Sequence, residues 1–205
     1  MNTRGMLART AAGAIGGLLL IGVAGAAIAD ELEEDAVEVN VEISEVPPVG
    51  ALTMSVAQSS TSLTEVDSGD PEVRRFDGTL PTVTVTDDRE EVPEGVFWYV
   101  QGQSSSFTAA DAPDISAGHL GWAPELLTEG DGVIPGDTVE TVLDAAPNNV
   151  GLIGEELLAL TLDSSDAHPV GEWRASADLF LKTPVDVAPG SYSATLTLTL
   201  WEDAF

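Results

Sequence analysis

SYSATLTLTL, at residues 191–200, is the stretch that indicates the fold class most clearly. Polar and apolar side chains alternate along it, so that Leu196, Leu198 and Leu200 share one face of an extended chain. Threonines occupy the other face, and such β-branched residues are enriched in strands. The stretch predicts a long β-strand, the longest of the chain, with Tyr192 and the leucines packed in the core of a central strand.

The same two-residue period recurs along the rest of the chain. Residues 152–162 have some helical propensity, but their alternation and their neighbours favour a strand. Residues 109–149 are rich in Gly, Pro and Asp and predict long connections with short strands. The whole pattern predicts an all-β, antiparallel β-sandwich of jelly-roll or Greek-key type with about 9–11 strands. The clearest other strands are residues 36–43, 52–56, 63–66, 80–86, 96–101 and 173–181.

The first 29 residues have the three parts of a secretory signal peptide. Arg4 and Arg9 supply the positive start, and an apolar stretch follows at residues 11–29. An uncleaved membrane anchor is the alternative, because the stretch comes close to spanning a bilayer. Its glycines and its A-x-A ending favour cleavage. The residues that define the predicted cleavage site are Ala27, Ala29 and Asp30.

The sequence therefore predicts a signal peptide at residues 1–29, an acidic disordered lead at 30–35 and a β-sandwich domain at 36–205. The signal holds two of the seven basic residues and none of the 35 acidic ones, which leaves the remainder with a net charge of −30 at pH 7. Such a charge repels nucleic acid and anionic lipid, so neither is an expected partner. The chain has no cysteine, so no disulfide is expected in the exported domain.

No group of residues predicts a catalytic site. His119 and His168 lack the spacing of a metal or catalytic pair, and no nucleophile motif is present. Carboxylate pairs are numerous, which keeps a glycan hydrolase open as a less favoured alternative. The four tryptophans could stack on sugars, but in a sandwich they are more often core or sheet-edge packing. They are Trp98, Trp122, Trp173 and Trp201.

Calcium is the one cofactor that the sequence leaves open. Acidic turns supply the oxygen ligands that this cation needs. None of them matches the twelve-residue EF-hand loop, and Asp-Gly steps are also ordinary turn formers. The residues to test as ligands are Asp87, Asp88, Glu129 and Asp131.

Two stretches resemble the sequence blocks of WxL-type domains from Gram-positive cell surfaces. Residues 83–100 are similar to the family's strand, D-x-R and W-x-L block, and residues 184–200 to its P-x-G-x-Y and L-T-W-x-L block. Valine replaces leucine in the first block, and leucine replaces the tryptophan of the second, with Trp201 three residues later. The matching positions are Asp87, Arg89, Trp98, Val100, Tyr192, Leu196, Leu198 and Leu200.

The resemblance implies a secreted, non-catalytic cell-surface module that associates with the cell wall without a covalent link. A wall polymer or another surface protein is the implied partner. A subunit of an extracellular protein assembly, docking through exposed strand edges, is the alternative. After signal cleavage no membrane attachment is expected, and the sequence does not specify an oligomeric state.

Overall fold

A computed structural model describes residues 50–205 of the chain. The predicted signal peptide, the acidic lead and the predicted strand at residues 36–43 lie outside the described residues. The described part is nearly all β with antiparallel sheets, which confirms the prediction of an all-β sandwich. The jelly-roll or Greek-key connection pattern stays a prediction.

Twelve strands make up most of the regular structure of residues 50–205. Single-turn 3₁₀ segments lie at Ala117–His119 and Gly151–Ile153, and one short α-helix, α1, spans Ser164–Ala167. No helix in this part is long and apolar enough to cross a membrane. The strands are β1 Leu52–Val56, β2 Thr64–Val66, β3 Val73–Thr79, β4 Val83–Asp87, β5 Val96–Ser104, β6 Phe107–Ala109, β7 Ala112–Ile115, β8 Leu120–Leu126, β9 Val133–Pro135, β10 Glu156–Thr161, β11 Glu172–Pro184 and β12 Leu196–Ala204.

The first sheet is built around β11, which at 13 residues is the longest strand described. β3 and β4 lie end to end along one side of β11, with a one-residue register shift where residues 80–82 intervene. β1 and β2 pair in turn with β4 and β3, so residues 52–66 and 73–87 form an interrupted hairpin. β8 pairs along the other side of β11.

The second sheet has the order β12-β5-β10-β9, and β6 pairs with β7 in a separate hairpin. Along β5 the residues from Trp98 to Ser104 alternate, with every even-numbered side chain buried. This alternation shows that one face of the second sheet packs into the core and the other faces solvent.

Three of the four tryptophans lie in the core between the sheets. Trp98, Trp122 and Trp173 come from β5, β8 and β11, and each is at most 4% exposed. The ring of Trp122 lies so close to Gly102 of β5 that an added Cβ would stand 2.6 Å from it. The first sheet thus contacts the second at a position where a side chain larger than hydrogen would clash.

The strand predicted at residues 191–200 differs from the prediction in place and role. β12 covers Leu196–Ala204 and forms an edge of the second sheet, whereas β11 is the longer, central strand. Before Leu196 the chain is not a strand: Thr195 bonds to Ser105, just after β5, and Ser193 forms an isolated bridge with Thr108 of β6. The predicted core face is confirmed, because the three leucines of β12 pack against the core cluster.

Other strand predictions were right at most of their centres and wrong at several boundaries. β3 was missed, because the arginines of its sequence VRRFDGT hide the alternation, and the hairpin β6-β7 was missed as well. Residues 138–143, a short alternating run in the region predicted to hold short strands, form no strand. They make one bridge, from Val139 to Trp122. The structure has twelve strands within residues 50–205, one more than the upper limit predicted for the whole domain.

Candidate functional site

The two family-like blocks, about a hundred residues apart in sequence, meet in one strand pair. β5 and β12 are antiparallel neighbours, with Leu200 opposite Val100 and Glu202 opposite Trp98. Trp98 and Val100 are each 1% exposed, and Leu200 packs partly buried against the same core. The matching residues that lie in this strand pair therefore hold the second sheet to the core.

Tyr192 does not belong to that strand. It lies half-buried in the segment before β12, and its hydroxyl donates to the carbonyl of Ala188 at 3.0 Å. The Tyr192 ring also lies next to Gly190, where an added Cβ would be 3.3 Å from Cε2. Tyr192 packs partly buried against the core cluster, as predicted, but it precedes an edge strand and does not lie in a central one.

Asp87 and Arg89, the D-x-R pair of the first block, form a two-pronged ion pair. Arg89 Nε and Nη2 donate to the two carboxylate oxygens of Asp87 at 2.7 and 2.6 Å. Arg89 Nη1 also donates to Glu202 Oε1 at 2.7 Å. Because Asp87 ends β4 and Glu202 lies in β12, this cluster ties the first sheet to the edge of the second. We call the three residues the Arg89 cluster.

The Arg89 cluster is largely shielded from solvent, which strengthens its electrostatics. The side chains of Arg89 and Asp87 are 14% and 6% exposed. Partial burial raises the pKa of the Asp87 carboxyl, but the hydrogen bonds and charge of Arg89 outweigh it, so that the pKa lies below its ordinary value. The bonds from Asp87 likewise raise the pKa of Arg89 above its ordinary value. The pair is therefore charged at any physiological pH.

The four candidate calcium ligands lie in two separate parts of the structure. Both oxygens of Asp87 are occupied by Arg89, and Asp88 Oδ1 accepts from the Ala51 N–H at 2.5 Å. Glu129 and Asp131 are exposed on the loop between β8 and β9. Among residues 50–205 no group of three or more His, Asp or Glu side chains is placed to hold a metal ion. An Asp87 carboxylate already bound to a guanidinium is a poor ligand for a cation.

The two histidines each bond to a backbone carbonyl. His119 Nδ1 lies 2.7 Å from the carbonyl oxygen of Lys182, and His168 Nε2 lies 2.7 Å from that of Arg89. In each pair the ring nitrogen donates, since a carbonyl oxygen only accepts. His119 thus ties the 3₁₀ segment at Ala117–His119 to β11, and His168, just after α1, contacts the backbone of the Arg89 cluster.

Charged side chains cover the outer face of the first sheet. In register, Lys182 stands opposite Arg75, and Phe180 opposite Asp77. Arg75 pairs with Asp77 at 2.7 Å, while Lys182 pairs with Asp144 at 2.5 Å. An open groove of about 320 Å³ on this face is lined partly by the Arg75–Asp77 pair and by Asp178. Of its two carboxylates, Asp77 is bound to Arg75, which disfavours its use as a hydrolase acid.

The outer face of the second sheet carries a row of apolar side chains that crosses all four strands. Register places Trp201 of β12 opposite Tyr99 of β5, Tyr99 opposite Leu160 of β10, and Leu160 opposite Ile134 of β9. Trp201 and Ile134 are 44% and 45% exposed. We call Trp201, Tyr99, Leu160 and Ile134 the apolar row.

Two phenylalanines extend the aromatic part of the apolar row. Phe97 lies on the same face of β5 as Tyr99, and their ring centroids are 5.9 Å apart in a stacked arrangement. Phe205, 87% exposed just after β12, places its ring 4.8 Å from that of Phe97. This surface was not predicted from the sequence. The pattern that could have indicated it is the alternation of Phe97 and Tyr99 with buried residues in β5, together with Trp201 on the outward side of β12.

No family model, no curated protein and no solved structure matches this chain. The site is therefore characterised by its own geometry, which consists of a shielded ion-pair cluster at the sheet rims and an exposed apolar row on the second sheet.

Proposed function

We propose that this protein is a secreted, non-catalytic module of the cell surface, associated with the cell wall without a covalent link. The observation that carries the proposal is the apolar row, which exposes side chains of four strands on one face. Contiguous exposed apolar surface on a soluble domain commonly marks an interaction site. The signal-like first 29 residues and the two family-like blocks support export and a surface role.

The geometry around the carboxylates favours binding over hydrolysis. A glycan hydrolase needs one carboxylic acid whose pKa is raised and a second carboxylate at a suitable distance. Burial raises the pKa of Glu156 in β10, which is the direction that a general acid needs. The acids with shielded, ordered surroundings, Asp87 and Asp144, are instead paired with Arg89 and Lys182.

Fractionation of the native organism tests the proposal. Medium, wall and membrane fractions are separated, and the N-terminus of the protein in each is determined by mass spectrometry. We expect a chain that begins at Asp30, retained in the wall fraction and released by a chaotrope without wall digestion. A protein found only in free medium, or one retained with residues 1–29 in the membrane, would contradict the proposal.

A subunit of an extracellular protein assembly is the second candidate. The observation that favours it is the free edge of β12, a nine-residue strand with no further neighbour among residues 50–205. An open edge presents unpaired backbone groups to which another strand can add. The backbone N–H of Ala204 points away from β5 and donates to Asp203 Oδ1 at 2.8 Å, so Ala204→Pro removes an amide of this edge and leaves the pairing of β12 with β5 in place. A crosslinked partner lost in this variant but kept in Ala204→Ser would favour the assembly.

A further inference from the structure

The outer face of the second sheet differs from the rest of the chain in charge. The chain has 35 acidic residues among 205. On this face the strands carry one, Asp203, opposite Phe97 at the end of β12. The other polar positions beside the apolar row are amides and hydroxyls, for example Gln101 opposite Thr199 and Gln103 opposite Thr197. An acidic protein has thus kept one face almost free of acid.

Neutral hydrogen-bonding groups beside exposed aromatic rings suit a ligand that is polar, uncharged and flat on one side. The pyranose ring of a sugar has an apolar C–H face, which packs on an aromatic ring, and hydroxyls at its rim. Tyr99 and Trp201 supply adjacent rings in register, and Gln103 is held in place because its Nε2 donates to the Ile153 carbonyl at 2.7 Å. Such a face matches a chain of sugars better than a charged peptide.

The net charge of the protein further narrows the class of ligand that this face can bind. At −28 for the whole chain, the protein repels polymers that carry phosphate or carboxylate along their length. All five basic residues within residues 50–205 are already paired with carboxylates, so none is left to bind an anionic polymer. A neutral polysaccharide avoids this repulsion.

We propose that the apolar row is a binding site for a neutral polysaccharide of the cell wall, with Trp201 and Tyr99 as the stacking residues. The inference rests on the proposed wall association and adds its ligand class and its residues. Asp203 stands at the end of the face and Leu160 and Ile134 continue it across the sheet, so a polymer chain would lie across the strands.

Sedimentation with purified cell walls tests this site. Walls are used untreated, stripped of anionic polymers by acid, or treated with protease. The variants are Trp201→Ala, Tyr99→Ala and the conservative Trp201→Phe, with Arg75→Ala on the opposite sheet as the matched control. Circular dichroism and thermal unfolding establish that each variant is folded. Sedimentation velocity of the free protein reports whether a second copy occupies the face instead.

We expect binding to stripped walls at least as strong as to untreated walls. Binding should be about tenfold weaker in Trp201→Ala and Tyr99→Ala and near normal in Trp201→Phe and Arg75→Ala. Equal binding of all variants would overturn the polysaccharide site while leaving wall association intact. Binding lost after protease treatment, or a dimer that the Trp201→Ala change disrupts, would overturn it in favour of a protein occupant. No sedimentation of the unaltered protein with any wall would refute the proposed function itself.

Discussion

The aromatic residues on the outer faces of the two sheets differ in how far they are exposed to solvent. On the first sheet, Phe180 is 7% exposed, because Arg75 and Lys182 lie over its ring at 5.6 and 5.5 Å. On the second sheet, Trp201 is 44% exposed and lies beside other apolar side chains. Four of the five cations of residues 50–205 lie in the strands of the first sheet and none in those of the second. A chain with few cations has used them to cover one face and left the other open.

The contrast separates aromatic residues that stabilise the fold from aromatic residues that are free to bind a ligand. An aromatic ring shielded by cations and packed on neighbouring strands contributes to the free energy of unfolding. A ring left exposed contributes less to folding and is available to a ligand. The two faces therefore predict opposite effects for equivalent substitutions.

Phe180→Ala is expected to give the largest loss of stability on either outer face. The ring packs against Gly121, where an added Cβ would lie 2.3 Å from Cε2, so its removal leaves a cavity beside β8. We expect the free energy of unfolding to fall by about 3 kcal/mol. Chemical denaturation measures this, with Trp201→Ala as the exposed counterpart at about 1 kcal/mol or less. Equal losses for the two variants would break the comparison.

Arg89→Ala is expected to destabilise the protein by a similar or slightly smaller amount. It leaves Asp87, at 6% side-chain exposure, with its charge unpaired and frees Glu202 from the rim of the first sheet. A loss of about 3 kcal/mol is typical of breaking a shielded pair from one side. Arg75→Ala, which breaks a pair exposed by more than a third on both sides, should cost at most about 1 kcal/mol. A loss for Arg75→Ala as large as that for Arg89→Ala would show that burial does not distinguish the two pairs.

The stability that Asp87 contributes should depend on pH. Its pKa is lower in the folded protein than in the unfolded chain, so its contribution is fully present above the unfolded value, about 4. It is lost as the pH falls through the folded value. The difference in unfolding free energy between the unaltered protein and Asp87→Asn should therefore be constant from pH 7 to about 5 and shrink below about 4. A difference that grows on acidification would contradict the assignment.

The smallest expected effect is that of salt on the stability of exposed ion pairs and on binding through the apolar row. Exposed ion pairs such as Arg74–Glu65 weaken when salt screens them, whereas apolar contacts do not. Added sodium chloride should lower the stability of the unaltered protein slightly more than that of Arg74→Ala, which chemical denaturation at several salt concentrations measures. It should leave wall binding through the apolar row unchanged, and a steep loss of binding with salt would indicate a charged ligand instead.

Much of this fold is predictable from the sequence because alternation reports which face of a strand is buried. Trp98 was expected to pack in the core or at a sheet edge, and it is 1% exposed. β3 was not predictable, because Arg74 and Arg75 interrupt its pattern, and their partners Glu65 and Asp77 become apparent only in the folded sheet. Which strand is central and which lies at an edge depends on pairing between distant segments, so β12 was assigned the wrong role.

The candidate site was less predictable than the fold. The spacing of Asp87 and Arg89 was visible, but their link to Glu202, 113 residues beyond Arg89, depends on the packing of two sheets. The apolar row combines four residues from four strands, each ordinary in its own stretch of sequence. Only the register between the strands reveals that they form a surface.

The central claim is that the second sheet's outer face is the surface that attaches this protein to the wall. Hydroxyl-radical footprinting of the protein, free and bound to purified walls, tests it directly, because Trp201 is the one tryptophan of residues 50–205 that is not buried. The account predicts that walls protect Trp201 and Tyr99 from oxidation and leave the first sheet's outer face unchanged. Protection centred on Arg75, Phe180 and Lys182, with Trp201 oxidised as in the free protein, would contradict it.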